Sequence, residues 1–126
     1  MGNKGTNFES QIARWLKEFG FPDAERHLEF QAEHAVGRDL DGTQPFAIQA
    51  KCYKSTPSIS VIDEIQHDPD YPLRVVWLKR TRSKGTSTLH VVGFDAHVAI
   101  AMMDILEQNG LLDDVVTYSE HIKENM

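Results

Sequence analysis

Apolar positions along the 126-residue chain switch between helical and strand periods. Phe8, Ile12, Trp15, Leu16 and Phe19 recur at helical spacing, and Gly20 supplies a natural stop. Thr6-Asn7-Phe8-Glu9 has the form of a capping box, with Thr6 as N-cap and Glu9 at the third helical position. After the turn Phe21-Pro22-Asp23, residues 24–31 read as a strand, with His27, Glu29 and Gln31 on one side and Leu28 and Phe30 on the other. Gly37 to Cys52 reads as two short strands about a polar turn. A loop at 54–58 leads into a short helix over 59–66 with Val61, Ile62 and Ile65 inward, and a second loop covers 67–72. Leu73 to Leu78 is apolar enough to be buried on both faces. A basic, glycine-containing connection over 79–88 leads to a last strand at 89–92. Asp95 caps a final helix carrying Val98, Ala99, Met102, Met103, Ile105 and Leu106, which Asn109-Gly110 ends. This order predicts an α/β fold with a mixed sheet of four or five strands and helices on both faces.

The stretch around the second turn holds the candidate chemistry. Ile48, Ala50 and Cys52 point one way along their strand, and Gln49 and Lys51 the other. A hairpin folded about position 44 sets Asp39 opposite Gln49, and directly opposed residues have Cβ atoms about 4.5–5.5 Å apart. A carboxylate, an amide and an ammonium then share one polar patch. Asp39 can ligate Mg²⁺, which takes oxygen donors and keeps several waters. An ordinary turn acid paired with Arg38 accounts for it equally. Gln49 can offer its amide oxygen to the metal, and Lys51 can hold a water or stabilise charge on a phosphate. A solvent-facing side of the strand is the plain alternative for both. Glu9 is explained by its capping box and is also a fourth member if the helix N-terminus faces the hairpin. His34 and His67 read as loop and surface histidines.

Composition sets bounds. Hydrophobic and charged contents of 40% and 25% suit one globular domain. No apolar run approaches the ~20 residues of a membrane span, and the start lacks a signal-peptide core, so a cytoplasmic protein is expected. The single cysteine, Cys52, excludes an internal disulfide and any CxxC zinc site. The net charge of −6 sits mostly at the C-terminal end, where residues 101–126 hold Lys123 against Asp104, Glu107, Asp113, Asp114, Glu120 and Glu124. We expect a body over 1–110 and an acidic tail over 111–126. The body is nearly neutral, with Lys79, Arg80, Arg82 and Lys84 clustered. Such a distribution leaves room for a basic cleft.

The array Gly5-x-x-Phe8-Glu9, then Gly37-x-Asp39-Leu40, then Gln49-x-Lys51 resembles the PD-(D/E)xK nuclease superfamily. Within it the chain is most similar to Holliday-junction resolvases of the archaeal type and their small phage-encoded relatives. Lys4-Gly5-Thr6-Asn7-Phe8-Glu9, Phe19-Gly20-Phe21-Pro22 and Val75-Val76-Trp77-Leu78-Lys79-Arg80 carry the likeness to the phage group. The resemblance spans residues 4–106. It implies a restriction-endonuclease-like α/β/α sandwich, a homodimer and Mg²⁺- or Mn²⁺-dependent hydrolysis of DNA, with four-way or branched DNA as substrate. Carried over, Glu9, Asp39 and Gln49 would bind the metal and Lys51 would position the water. Arg26, Arg38, Lys54, Lys79, Arg80, Arg82 and Lys84 would contact phosphates. Glutamine at 49, where glutamate is commoner, removes one negative charge from the metal site. A restriction-like or repair nuclease on duplex DNA, and a non-catalytic DNA-binding or dimerisation module, are the other readings.

Overall fold

The computed structural model describes residues 4–28, 36–82 and 86–125. The expected strand positions Glu29 to Gln31, together with His34 and Lys84, lie outside the described residues, and so does the Thr6 side chain. Two compact units divide after Phe94. The first contains α1 (Lys4–Glu18), β1 (Glu25–Arg26), β2 (Leu40–Asp41), β3 (Phe46–Tyr53), a 3₁₀ helix (Ile59–Glu64), β4 (Leu73–Arg82) and β5 (Thr86–Phe94). The second contains α2 (Ala96–Gln108) and α3 (Leu112–Asn125). The sequence reading sets its boundary at residue 110, and the division between compact units falls after Phe94. The segment after Leu111 is a helix grouped with α2, because Val115, Tyr118 and Ile122 line one groove with Leu106. No helix among the described residues is long and apolar enough to cross a membrane.

The fold of the first unit is α/β, with a three-stranded mixed sheet in the order β3-β4-β5 and a separate two-stranded sheet β1-β2. Among the described residues the mixed sheet has three strands, where the sequence predicts four or five. β4 is the central strand, parallel to β3 and antiparallel to β5, which agrees with its burial at Val75, Val76 and Leu78. It also runs four residues further than the apolar run, and β5 begins at Thr86. Lys79 to Arg82 are strand residues, not loop, because each has a partner on β5 from His90 back to Thr86. Ladder hydrogen bonds carry the polar residues past the end of the hydrophobic signal.

α1 lies on the face of β3 that Ile48, Ala50 and Cys52 occupy. Phe8 and Ile12 are the helix residues sunk deepest into that layer, at 3% and 0% exposure. Each such side chain contributes about 1.5–3 kcal/mol by leaving water. Ala47, Ile62, Ile65 and Tyr71 form a smaller cluster on the other face. The alternation of β3 is therefore as its sequence dictates.

An aromatic group continues the α1 layer. The Trp15 and Trp77 rings stack at 6.3 Å between centroids, and His90 lies 5.6 Å from both Phe8 and Trp15. Trp77 Nε1–H donates to His90 Nε2, which requires that nitrogen to be unprotonated. Burial first, and the nearby Lys79 ammonium second, hold the His90 pKa below its ordinary value of 6.5. The unfolded chain therefore takes up this proton before the folded one does. Stability from His90 is complete above pH 6.5 and falls as the pH drops toward the folded-state value. Denaturant midpoints at about pH 7.5 and about pH 5.5 should differ in the wild type, and by less in His90→Gln, in which that titration is gone. An unchanged difference would remove His90 from the pH response.

Candidate active site

The chain between the two sheets is shaped by what can hydrogen-bond to the open edge of β3. Thr43 turns the chain, its hydroxyl donating to the Phe46 carbonyl at 2.6 Å and its own carbonyl accepting from Phe46 N–H. Pro45, after a cis peptide, has no N–H to give a ladder. The expected hairpin ladder does not form. β2 pairs instead with β1, Arg26 opposite Leu40 and Glu25 opposite Asp41. One residue before β2, Asp39 bridges the gap. Its N–H donates to the Ile48 carbonyl at 2.7 Å, and its Oδ2 accepts the Ala50 N–H at 2.7 Å. The carboxylate thus takes a strand N–H that a neighbouring strand carbonyl would otherwise take.

This places Asp39 on Gln49, as the position-44 symmetry predicts. Gln49 is buried at 4% exposure, and its amide is oriented so that the nitrogen donates to Asp39 and, at 3.2 Å, to the Gly37 carbonyl. A carboxylate attracts N–H and repels a second oxygen. Gln49 therefore meets Asp39 as a donor, where the sequence reading has it offering its oxygen to a metal. Lys51 follows on the same face and is half-buried, with Nζ 3.7 Å from Glu64 Oε1.

The sequence pattern does not mark Glu64. Its position depends on Gly37, whose φ of +75° suits glycine. A β-carbon at 37 would overlap the Glu64 carbonyl oxygen, so only glycine lets the end of the 3₁₀ helix seat there. Gln66 N–H donates to the Val36 carbonyl and fixes the same approach. The glycine before Asp39 was visible in the sequence. What it touches was not.

Glu9 stands elsewhere in the site's surroundings. It is on α1, and its Oε1 accepts from Arg26 Nε at 3.2 Å. The structure gives Glu9 a cationic partner on β1 and gives Asp39 its partners on β3. Arg38 is likewise engaged. Its guanidinium donates to Asp41 at 3.1 Å and to Asp68 at 3.0 Å, and it lies 3.8 Å over the Tyr71 ring. At 11% side-chain exposure it has little surface to offer a phosphate. His27 Nδ1–H donates to Asp41 Oδ2 at 2.9 Å, and the Tyr71 hydroxyl accepts from Gly42 N–H. The Asp70 N–H first, and Arg38 against the opposing effect of burial, hold the Asp68 pKa below 3.8.

The other bases fare differently. Lys54 and Arg82 are exposed, Lys79 reaches to 5.4 Å from the Phe8 ring, and Arg80 donates to Thr56 and Thr88 hydroxyls. Arg26 also lines an open groove of about 550 Å³ with Arg14 and Lys17, two bases that a helical-wheel reading of α1 would have found. The Asp39 carboxylate is an oxygen ligand of the kind that suits Mg²⁺ rather than zinc, and the groups shown against it are the Ala50 N–H and the Gln49 amide nitrogen. Among the described residues no group of three or more His, Cys, Asp or Glu side chains is placed to hold a metal ion. No protein-family model, curated protein or solved structure matches the chain.

Asp39→Ala would leave the Ala50 N–H without its acceptor and the Gln49 amide with the Gly37 carbonyl alone, a cost of about 1–3 kcal/mol. Asp39→Asn retains an acceptor oxygen and should fold with a denaturant midpoint nearer the wild type. Equal midpoints for wild type and Asp39→Ala would show that the bridge is dispensable. Gly37→Ala should destabilise by at least about 1–3 kcal/mol through φ alone, before the overlap with Glu64 is counted. Wild-type stability in that variant would refute the close approach.

Proposed function

We propose that this chain is a Mg²⁺-dependent DNA endonuclease of the restriction-endonuclease-like fold, acting on four-way or other branched DNA as a homodimer. The observation that carries the reading is the direct contact of Asp39 with Gln49 at the edge of β3, with Lys51 two residues further along the same face of that strand. The fold supports it through the layer of α1 on one face of the sheet and the 3₁₀ helix against the other.

Hydrolysis forms a bond from a water oxygen to phosphorus, breaks the ester P–O bond and returns a proton to the leaving alcohol. Asp39 is the carboxylate that would hold the divalent cation, Mg²⁺ or Mn²⁺, in this scheme. The cation, when bound, supplies Lewis-acid charge to the scissile phosphate. Gln49 orients the Asp39 carboxylate. Lys51, at the open end of the same face, positions the water or neutralises charge growing on the phosphate oxygens. Glu9 steadies Arg26, which lies with Arg14 and Lys17 along a groove suited to a sugar-phosphate strand. Lys54, Lys79, Arg80 and Arg82 extend the phosphate contacts. A two-fold dimer provides the second site that paired nicks on a junction demand.

Cleavage of a labelled four-way junction beside a linear duplex of the same arms tests the reading, with Mg²⁺, an EDTA control and Asp39→Asn in parallel. Paired nicks on the junction alone, lost with EDTA and in the variant, are expected. Equal cutting of the duplex would identify a restriction-like or repair nuclease. Absence of cutting by folded protein in Mg²⁺ and Mn²⁺ would overturn the enzymatic reading in favour of a DNA-binding module. Binding to the junction should also weaken steeply with added salt, because each neutralised phosphate releases counterions. A flat salt dependence would count against a DNA partner.

A further inference from the structure

We infer that β5 is the dimerisation edge of this protein, where a second copy of the chain adds its own β5 antiparallel and joins the two sheets across a two-fold axis. It rests on the nuclease reading in one respect, that two copies act together, and gives that homodimer a surface. Among the described residues β5 pairs on one side only, with β4. Its outer side presents main-chain N–H and C=O groups, the template on which another strand forms a ladder. Proteins protect such edges with charges, proline or short strands. Thr86–Phe94 is nine residues long and contains no Asp, Glu, Lys, Arg or Pro. The bulge in the β4–β5 ladder falls between Arg80 and Thr81, and Leu89 to Phe94 stay in regular register.

The side chains bordering this edge are apolar on both faces of the sheet. On the α1 face Val92 is 42% exposed beside Trp77, its partner on β4. On the other face Val91 is 44% exposed. There Ile59 of the 3₁₀ helix, also exposed, lies over Gly93, where a β-carbon would come within 2.7 Å of its Cδ1. Charge selects a second copy as the occupant. The seven acids and one lysine of the second unit account for the whole net charge of −6, so the unit that carries β5 has a net charge of zero. Two such units approach without net repulsion, and their β5 strands meet with no like charges opposite each other. Burial and the nearby Lys79 hold the His90 pKa below 6.5, so His90 adds no charge at pH 7. The size also fits. Nine residues at about 3.3 Å each make an edge about 30 Å long. The ~800 Å² per partner of a standard stable interface is a patch about 28 Å across.

The test is the oligomeric state of the full chain, read by light scattering over a concentration series, together with amide hydrogen exchange of the wild type. Val91→Lys and Val92→Lys place a charge on either face of the edge, and Tyr118→Lys on the exposed surface of α3 is the control. Circular dichroism confirms that each is folded, and junction cleavage is measured in parallel. A wild-type dimer is expected, with consecutive amides from Leu89 to Phe94 protected, since a strand paired on both sides keeps no outward N–H free to exchange. Val91→Lys and Val92→Lys should each raise the dimer dissociation constant about tenfold or more, because each puts two charges per dimer into a neutral edge. Tyr118→Lys should dimerise as the wild type does. A loss in Tyr118→Lys as large as in Val91→Lys would overturn the inference, the effect then belonging to α3 or to surface charge in general. Rapid exchange at alternate amides of Leu89 to Phe94 in a wild-type dimer would also overturn it and leave a homodimer built through another surface. A wild type that stays monomeric would overturn it together with the homodimer, while the cleavage assay on the same samples decides the nuclease reading separately.

Discussion

The bond from Ala50 N–H to the Asp39 carboxylate is the constraint from which the site follows. An open sheet edge presents N–H groups that must find acceptors. At Ala50 a side chain answers, so no regular strand has to lie there. This frees β2 to pair with β1, which brings Arg26 opposite Leu40. It also fixes the carboxylate directly beside Gln49, whose burial would be costly without the two acceptors it finds at Asp39 and Gly37. The same interaction therefore closes the sheet edge and aims the acid. A change at Asp39 is felt in both, and the isosteric amide is the substitution that separates charge from architecture.

Behind this edge a second polar group keeps β2 in place. Arg38 is shared between Asp41 and Asp68 and covers the Tyr71 ring, while His27 reaches Asp41 from the other side. Its members come from three distant parts of the chain, around residues 27, 38–41 and 68–71. Hydrogen-bonded charges of this kind gain strength from a low local dielectric, and lose more when one member is deleted. Arg38 is consequently a structural cation. A sequence reading cannot separate it from a phosphate-binding arginine, because that difference lies in the loop that carries Asp68, thirty residues away.

The parts of the fold that were legible are those with a short-range signal. α1 announces itself by apolar spacing and by Gly20, and β3 by strict alternation, so Ile48 and Gln49 fall on opposite faces as expected. The contact of Asp39 with Gln49 was legible too, through the symmetry of a turn. The turn itself was not a hairpin, since Pro45 and the Asp39 bridge replace the ladder that a sequence pattern presupposes. β4 and β5 ran longer than their apolar cores because hydrogen bonding to a partner, not hydrophobicity, decides where a strand ends. Glu64 was hidden for a plainer reason. Nothing in Ile59-Ser60-Val61-Ile62-Asp63-Glu64 ranks one acid above its neighbour until Gly37 and Lys51 are placed.

Charge divides along the same line as the compact units. The second unit carries Asp95, Asp104, Glu107, Asp113, Asp114, Glu120 and Glu124 against Lys123, and it exposes Ile100, Met103, Ile105, Val116 and Tyr118. An acidic and apolar surface of that composition repels a phosphate backbone and offers it few donors. The bases Arg14, Lys17, Arg26, Lys54 and Arg82 all belong to the unit that ends at Phe94, as do Asp39, Lys51 and Glu64. The net charge of −6 is therefore a poor guide to this protein's partners. Once the acidic helices are set apart, the remainder is close to neutral, and its bases are found in the unit that holds the site. Any nucleic-acid contact has to be made by that unit, and the acidity of the whole chain is no argument against it.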